Sequence, residues 1–206
     1  LIGVSITGWM NNPDVLFDKK VLEKGAKIVK EVNKEVAALL GINAAARTTC
    51  VKPSGNASVL LQTASGIHAE HSTMYIRNVQ MTKDSEVTQA IQKANPYMVE
   101  DSVWSATNSD VVVSFPIIPK KGSYVKEDLI GVDHLAKVKL VQQHWVNAGT
   151  NEDLCADKGV RHNVSNTILV DDWHEVEKYV FKNRHSFAGI SFLSMMGDKD
   201  FNQAPN

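Results

Sequence analysis

The stretch Lys52-Pro53-Ser54-Gly55-Asn56-Ala57-Ser58 determines how this chain of 206 residues is organised. It places a turn rich in small hydroxyl and amide side chains between two segments of regular structure. Residues 47–52 are β-branched or small, which predicts a strand, and the apolar run Val59-Leu60-Leu61 predicts a short helix. The stretch is therefore expected to form a strand–turn–helix junction.

This junction predicts an anion site, with phosphate as the foremost ligand. A helix that starts here leaves the backbone N–H groups of its first turn without intrahelical partners, and its dipole favours negative charge at the same end. Small side chains let a ligand approach the backbone. The alternative is an ordinary turn in which Ser54, Asn56 or Ser58 caps the helix.

Helices and strands alternate along the rest of the chain. Helices are predicted over 18–40, ended by Gly41, from Asp84 or Ser85 to 94, over 133–148, and from Asp171 or Asp172 to 184. The first has one apolar stripe along its length, and the third is predicted to face inward with Leu135, Val138, Val141, Trp145 and Val146. Strands are predicted over 2–7, 47–52, 75–81, 111–115 (ended by Pro116), 164–170 and 188–193. This order indicates an α/β fold with many parallel strands, in which ligands gather at the carboxyl ends of strands.

Composition and charge exclude several classes of partner. The net charge of −1 gives no support to a nucleic-acid or membrane-surface role, and no apolar run is long enough to span a membrane. Cys50 and Cys155 form neither a C-x-x-C pair nor a zinc spacing, so we expect structural thiols in a reducing, cytoplasmic setting. The chain opens on Leu1 inside a predicted strand and has no predicted helix near Asn206, which favours a fragment or a processed segment.

Several blocks resemble one protein family. Val51-Lys52-Pro53-Ser54-Gly55 followed by Ser65-Gly66-Ile67-His68 resembles the substrate-phosphate segment of ribonucleotide reductases, in particular the monomeric, adenosylcobalamin-dependent (class II) ribonucleoside-triphosphate reductases. Four further blocks agree in order and spacing: residues 2–8 with Asn12-Pro13, Tyr75-Ile76-Arg77, residues 162–167, and residues 189–193 with Gln203-Ala204-Pro205. The resemblance extends over nearly the whole chain.

The resemblance implies a fold, a reaction and partners. The fold is the C-terminal part of a ten-stranded α/β barrel of the ribonucleotide reductase type, with 1–206 a partial catalytic domain that lacks the N-terminal half and the C-terminal tail. The reaction replaces the 2′-hydroxyl of a ribonucleoside triphosphate with hydrogen, and a thiyl radical generated with adenosylcobalamin starts it. Thioredoxin or a similar dithiol supplies the electrons to a monomeric enzyme that has no nucleic-acid or membrane partner.

The resemblance also assigns residues. Those expected to hold the substrate phosphates are Ser54, Gly55, Asn56, Ala57 and Ser58. The family usually has threonine where Asn56 stands, which changes hydrogen-bonding geometry but keeps a polar side chain. His68, Gly189 and Ser191 are expected close to the substrate.

No catalytic residue of the family can be placed in this chain. The radical-bearing cysteine, its reducing pair and its asparagine and glutamate partners precede the matching region, and the shuttle cysteines would follow Asn206. Taken alone, the chain is expected not to turn over. The alternatives are a reductase of the diiron or glycyl-radical class and an inert nucleotide-binding fragment; the absence of tyrosine from residues 189–193 counts against the tyrosine-relay class.

Two other motifs favour structural roles. Asp172-Trp173-His174-Glu175-Val176-Glu177 is similar to the D-x-H-x-x-G signature of proteins whose histidine ligates cobalamin, but Glu177 replaces the glycine and the segment lies in a predicted amphipathic helix. His68-Ala69-Glu70-His71 lacks the further ligands that a metal site needs. We expect an exposed helix face for the first and no metal for the second.

Overall fold

A computed structural model describes residues 2–195 of the chain, without the side chains of Gly55 and Asn56. The block Gln203-Ala204-Pro205 lies outside the described residues. The described chain forms two compact units. The first unit comprises residues up to Glu70 together with Pro119–Met195, and the second unit comprises His71–Ile118.

The predicted elements occur in the predicted order. The strands are β1 Val4–Ser5, β2 Thr49–Cys50, β3 Tyr75–Thr82, β4 Val99–Asp101, β5 Asp110–Ile117, β6 Thr167–Val170 and β7 Ser191–Ser194. The α-helices are α1 Pro13–Leu16, α2 Lys19–Leu39, α3 Gly55–Leu60, α4 Glu86–Ala94, α5 Gly131–Val141 and α6 Trp173–Asn183. Strands β1, β2, β6 and β7 are shorter than predicted, β3 and β5 are longer, and α1 and β4 were not predicted. A π-helical turn, Gln142–Asn147, continues α5, and short 3-10 turns lie at Trp9–Asn11, Pro96–Met98, Lys126–Asp128, Glu152–Leu154 and Arg184–Ser186.

Parallel strands organise the first unit. β1 pairs in parallel with β2, and β6 pairs in parallel with β7. Val51, directly after β2, forms a parallel bridge with Val164, which leads into β6. The predicted α/β class with parallel strands is confirmed in this unit, and the carboxyl ends of these strands lie where the phosphate turn was expected.

The second unit departs from the predicted parallel arrangement. β5 lies between β3 and β4 and is antiparallel to both. Residues 102–109 connect β4 to β5 without a helix, and such a short connection cannot make the crossover that parallel strands need. β5 also continues through Pro116, because β4 pairs only with Val111–Val113 and leaves that edge of β5 open at the proline.

The core of the first unit lies around α5. The predicted inward residues of this helix and its π turn, Leu135, Val138, Val141, Trp145 and Val146, are all buried. The indole N–H of Trp145 donates to the Cys50 carbonyl at 3.0 Å, which satisfies a buried donor and ties the helix to β2.

The long helix α2 is only partly covered. Asp18 caps it, and Gly41 follows its end with a left-handed φ of 65°, as predicted. Leu22, Ala26 and Ala37 are buried, but most of the apolar stripe is exposed within the described structure: Val21, Ile28, Val32, Val36, Leu39 and Leu40. Helical periodicity identifies the apolar face but not what covers it.

Candidate phosphate-binding site

The turn follows the carboxyl end of β2, where the chain leaves the core. Val51 is fully buried, whereas Lys52 and Pro53 are exposed. The Lys52 N–H donates to Ser5 Oγ at 2.9 Å, so the strand-type backbone pairing stops one residue before the proline. The predicted strand over 47–52 is therefore shorter, and the turn begins at the surface of the first unit.

The start of α3 has no side-chain cap. Ser54 occupies the N-cap position with extended backbone angles (φ −112°, ψ 102°), yet its side chain makes no cap hydrogen bond. The Ser54 hydroxyl has no hydrogen-bond partner among residues 2–195. Ser58, inside the helix, is buried and donates its hydroxyl to the Ser54 carbonyl. The Ser54 side chain therefore does not close the first-turn N–H groups of α3.

A second loop, residues 63–68, packs against this turn and is hydrogen-bonded to it. The Ser54 N–H donates to Ser65 Oγ at 2.8 Å, and the Ser65 hydroxyl is 3.2 Å from the Ser54 carbonyl oxygen. Gly66 has a φ of +56°, and a Cβ there would lie 3.0 Å from the Lys52 carbonyl oxygen. Glycine is required at this position because both its conformation and its close approach exclude a side chain.

The segment after β1 anchors loop 63–68 in turn. Thr7 Oγ1 donates to the Ala64 carbonyl at 3.0 Å and accepts from the Gly66 N–H at 2.8 Å. Buried Asn11 accepts from the Ala64 N–H at 2.7 Å and donates to Glu70 at 2.7 Å. These bonds join positions far apart in sequence, so no local pattern could indicate them.

His68 is half-buried and lies next to the start of β6. Its Nδ1 lies 3.0 Å from the Ser65 carbonyl oxygen, and its Nε2 lies 3.0 Å from the Thr167 backbone nitrogen. The Ser65 carbonyl can only accept and the Thr167 N–H can only donate, so Nδ1 carries the proton and Nε2 is bare. Burial lowers the pKa of His68, which favours this neutral ring.

His134, on α5, packs edge-on against His68 with ring centroids 6.2 Å apart. It is 3% exposed, and its Nε2 donates to the Ile67 carbonyl at 3.0 Å. Burial lowers the pKa of His134 to about 4. The two histidines are thus neutral near pH 7 and fix the backbone of loop 63–68 on both sides of residue 67.

Gly189 and Ser191 lie at the amino end of the β6–β7 pair, where His68 bonds Thr167. Ser191 is the register partner of Thr167, whose N–H bonds His68, and the Gly189 carbonyl accepts from Asn166 Nδ2 at 3.2 Å. Asn166 is 5% exposed, and its Oδ1 has no partner among the described residues. The structure therefore connects Ser54, His68, Gly189 and Ser191 through four residues to which the sequence assigned no individual role: Ser65, His134, Asn166 and Thr167.

Positive charge lies beside the turn. A cleft of about 410 Å³ is lined in part by Lys52, Arg161, His162 and Cys50. Burial raises the pKa of the Cys50 thiol, and Lys52 opposes that shift only in part, so Cys50 is a protonated structural thiol as predicted. Cys155 is also free, and its Sγ donates to the Asn151 carbonyl at 3.3 Å.

The segment at residues 172–177 does not form a cobalamin-ligating histidine site. Asp172 is used as the cap of α6, accepting from the His174 and Glu175 N–H groups, and His174 itself is exposed. Over residues 2–195, no group of three or more His, Cys, Asp or Glu side chains could hold a metal, and no helix is long and apolar enough to cross a membrane. The expected exposed helix face at residues 172–177 is confirmed.

The known proteins that are similar in sequence to this chain are reductases of one type. No protein-family model matches the chain. An adenosylcobalamin-dependent ribonucleoside-triphosphate reductase of Euglena gracilis is 26% identical over 210 residues, which cover 99% of this chain and 27% of the relative. The same type of reductase from Levilactobacillus brevis is 24% identical over 184 residues, or 86% of this chain and 22% of the relative. A probable one from Dictyostelium discoideum is 29% identical over 123 residues, or 60% and 16%.

A solved structure agrees with these sequence relatives. A B12-dependent (class II) ribonucleotide reductase matches 91% of this chain and 24% of its own chain, with a TM-score of 0.69 and 21% identity. The chain spans 16% to 27% of the length of the curated relatives it matches. The resemblance seen in the sequence is confirmed: the chain is similar in sequence to adenosylcobalamin-dependent ribonucleoside-triphosphate reductases and has the α/β fold of part of a class II ribonucleotide reductase.

Proposed function

We propose that this chain supplies the substrate-phosphate cradle of an adenosylcobalamin-dependent ribonucleoside-triphosphate reductase. In the complete enzyme, the 2′-hydroxyl of a ribonucleoside triphosphate is replaced by hydrogen. This chain's own contribution is to bind and orient the triphosphate at residues 54–58. The thiyl radical and the reducing cysteines would come from other parts of the enzyme.

One observation carries the proposal: α3 begins at the carboxyl end of β2 with its cap position filled by a serine that does not cap. Backbone N–H groups at such a position can donate to phosphate oxygens, and the helix end adds a favourable partial charge. Lys52, two residues earlier, adds a full positive charge at the exposed edge of the turn. Because the backbone supplies most donors, the unusual Asn56 and Ala57 are compatible with this role.

The partners follow from the same proposal. Electrons would reach the enzyme from thioredoxin or a similar dithiol, the enzyme would act as a monomer, and it would work in the cytoplasm. A reductase of another class is not favoured, because the sequence relatives are adenosylcobalamin-dependent enzymes.

The test is a titration of the protein with each ribonucleoside triphosphate. In Ser54→Glu, a carboxylate faces the expected phosphate position, and we expect affinity to fall by about 100-fold through like-charge repulsion. Ser54→Ala keeps every backbone donor and should bind within about threefold of the wild type, since a net neutral hydrogen bond contributes little.

Ser85→Glu is the matched control, because Ser85 is the N-cap of α4 in the second unit. It should leave triphosphate affinity unchanged. Equal affinity of Ser54→Glu and the wild type would remove residues 54–58 from the binding site.

A further inference from the structure

We propose that His68 is a positioning residue: it fastens the phosphate turn to β6, so that the turn and the strand hold one geometry. The inference rests on the proposed function, because it concerns the same phosphate site. It differs from the expectation that His68 lies against the substrate.

Both ring nitrogens of His68 are already in use. Nδ1–H donates to the Ser65 carbonyl at 3.0 Å, and Nε2 accepts from the Thr167 N–H at 3.0 Å. The imidazole therefore has no polar atom left for a substrate group. What it does is join a loop to a strand 99 residues further along the chain.

The Ser65 arm leads directly to the phosphate turn. Ser65 Oγ accepts from the Ser54 N–H at 2.8 Å, and Gly66 packs against the backbone of Lys52 and Pro53. A shift of His68 would move Ser65, and Ser65 fixes the residue that begins α3. A cradle built from backbone donors depends on such support, because small displacements of the donors weaken every bond at once.

The Thr167 arm leads to the other predicted site residues. Thr167 begins β6 and is the register partner of Ser191, while Asn166 bonds the Gly189 carbonyl. His68 is thus a hydrogen-bonded link between Ser65, which holds Ser54, and the start of β6. The His68 ring would therefore hold the 54–58 turn at a fixed distance from the start of the β6–β7 pair.

The link requires one protonation state. A protonated His68 would place an N–H against the Thr167 N–H, which replaces a hydrogen bond with two opposed donors. The charged or titratable groups that face the ring are Lys126, in the 3-10 turn after residue 125, and His134 of α5, which in turn is near Lys137. The cationic ones disfavour a charged His68, and no carboxylate contributes to its titration.

The test uses two amide variants of His68 that distinguish its bond to Ser65 from its bond to Thr167. His68→Gln can place its side-chain oxygen near the position of Nε2 and accept from Thr167, whereas His68→Asn is too short to do so. The readouts are affinity for inorganic tripolyphosphate and for a ribonucleoside triphosphate, and amide hydrogen exchange at Thr167. His174→Asn, on the exposed face of α6, is the matched control.

Each variant keeps at most one of the two bonds, so we expect about tenfold weaker binding of both ligands by His68→Asn and by His68→Gln, with faster exchange at Thr167 only in His68→Asn. The ratio of wild-type to His68→Gln affinity should fall as the pH decreases from 7.5 to 5, because only the histidine titrates. This ratio cancels protonation of the ligand itself. Equal binding by all three proteins, or a ratio that does not change with pH, would overturn the proposal.

A measurement on the wild type alone covers the case in which His68→Asn does not fold. Imidazole nitrogen NMR shifts should show a protonated Nδ1 and a bare Nε2 for His68 at pH 7, and the opposite tautomer would contradict the proposal. Failure of the proposed function would look different. In that case Ser54→Glu would bind triphosphate like the wild type. If only the positioning role of His68 is wrong, Ser54→Glu would still bind triphosphate weakly, and His68→Asn would bind it like the wild type.

Discussion

Two serines occupy the same position at the start of two helices and are used in opposite ways. Ser85 begins α4, and its side chain accepts from the Thr88 N–H at 3.1 Å. Ser54 begins α3 and makes no such bond, and its backbone N–H donates instead to Ser65 Oγ at 2.8 Å. One helix start is closed by its own side chain, and the other stays open.

The missing side-chain cap makes α3 locally less stable than α4. A serine cap contributes about 1 kcal/mol to helix stability, and α3 forgoes it. Loop 63–68 and its long-range hydrogen bonds hold the open start in place instead. A ligand with negative oxygens would supply the missing acceptors, which is why the open helix start is the phosphate site of the proposed function.

The largest effect on stability and binding is expected from Gly66→Ala, which adds a side chain where loop 63–68 packs against the turn before α3. Gly66→Ala forces an L-residue to a φ of +56° and puts a methyl group 3.0 Å from the Lys52 carbonyl oxygen. We expect a loss of about 3 kcal/mol in the free energy of unfolding, with more than tenfold weaker triphosphate binding. Urea unfolding and ligand titration measure the two effects.

Gly41→Ala is the control for backbone strain alone. Gly41 also has a left-handed φ, of +65°, but nothing lies within 4 Å of its would-be Cβ. Its cost should be about 1 kcal/mol, with unchanged binding. If both alanine variants behaved alike, the close approach of loop 63–68 to the turn would have no energetic role.

Acidification should destabilise the region around the start of α3 before the region around the start of α4. The pKa of His134 is lowered from 6.5 to about 4, so the unfolded chain binds more protons than the folded one between these values. The contribution of neutral His134 is complete above pH 6.5 and is lost as the pH falls toward 4, on the order of 3 kcal/mol in total. The lowered pKa of His68 acts in the same direction.

The measurement is the free energy of unfolding of the wild type and of His134→Gln between pH 4 and 7. The variant should lose less stability on acidification than the wild type. Identical pH slopes would mean that His134 is not held neutral by the fold. Amide exchange should rise first at residues 63–68 and later at α4.

The smallest expected effect separates the two serines directly. Ser85→Ala should cost about 1 kcal/mol in the free energy of unfolding, because it uncovers first-turn N–H groups of α4. Ser54→Ala should cost only a few tenths of a kcal/mol, because no cap is lost. Thermal unfolding compares them; equal losses would mean that Ser54 caps α3 in solution.

Local patterns in the sequence predicted local structure well. Asp18, Ser85 and Asp172 were predicted or named as alternative helix starts, and each is the cap of its helix. The inward face of α5 was also correct, because Leu135, Val138 and Trp145 follow a single helical period that one core covers. These features depend on residues within a few positions of one another.

What depended on distant partners was not predictable. The antiparallel sheet of the second unit follows from a short connection between β4 and β5, whereas helix–strand alternation suggested parallel pairing. The apolar stripe of α2 stays largely exposed, because periodicity contains no information about a covering partner. Ser54 satisfies the sequence rule for a cap and yet does not cap, and the bond of its backbone to Ser65, eleven positions away, has no local sequence signal.

The most direct test of the phosphate site follows individual backbone N–H groups while a ribonucleoside triphosphate is added. The account predicts large amide chemical-shift changes and slowed hydrogen exchange at Gly55, Asn56 and Ala57, the first turn of α3. Residues 86–88, the first turn of the capped helix α4, should not change. Binding of the nucleotide without any change at residues 55–57 would contradict the account.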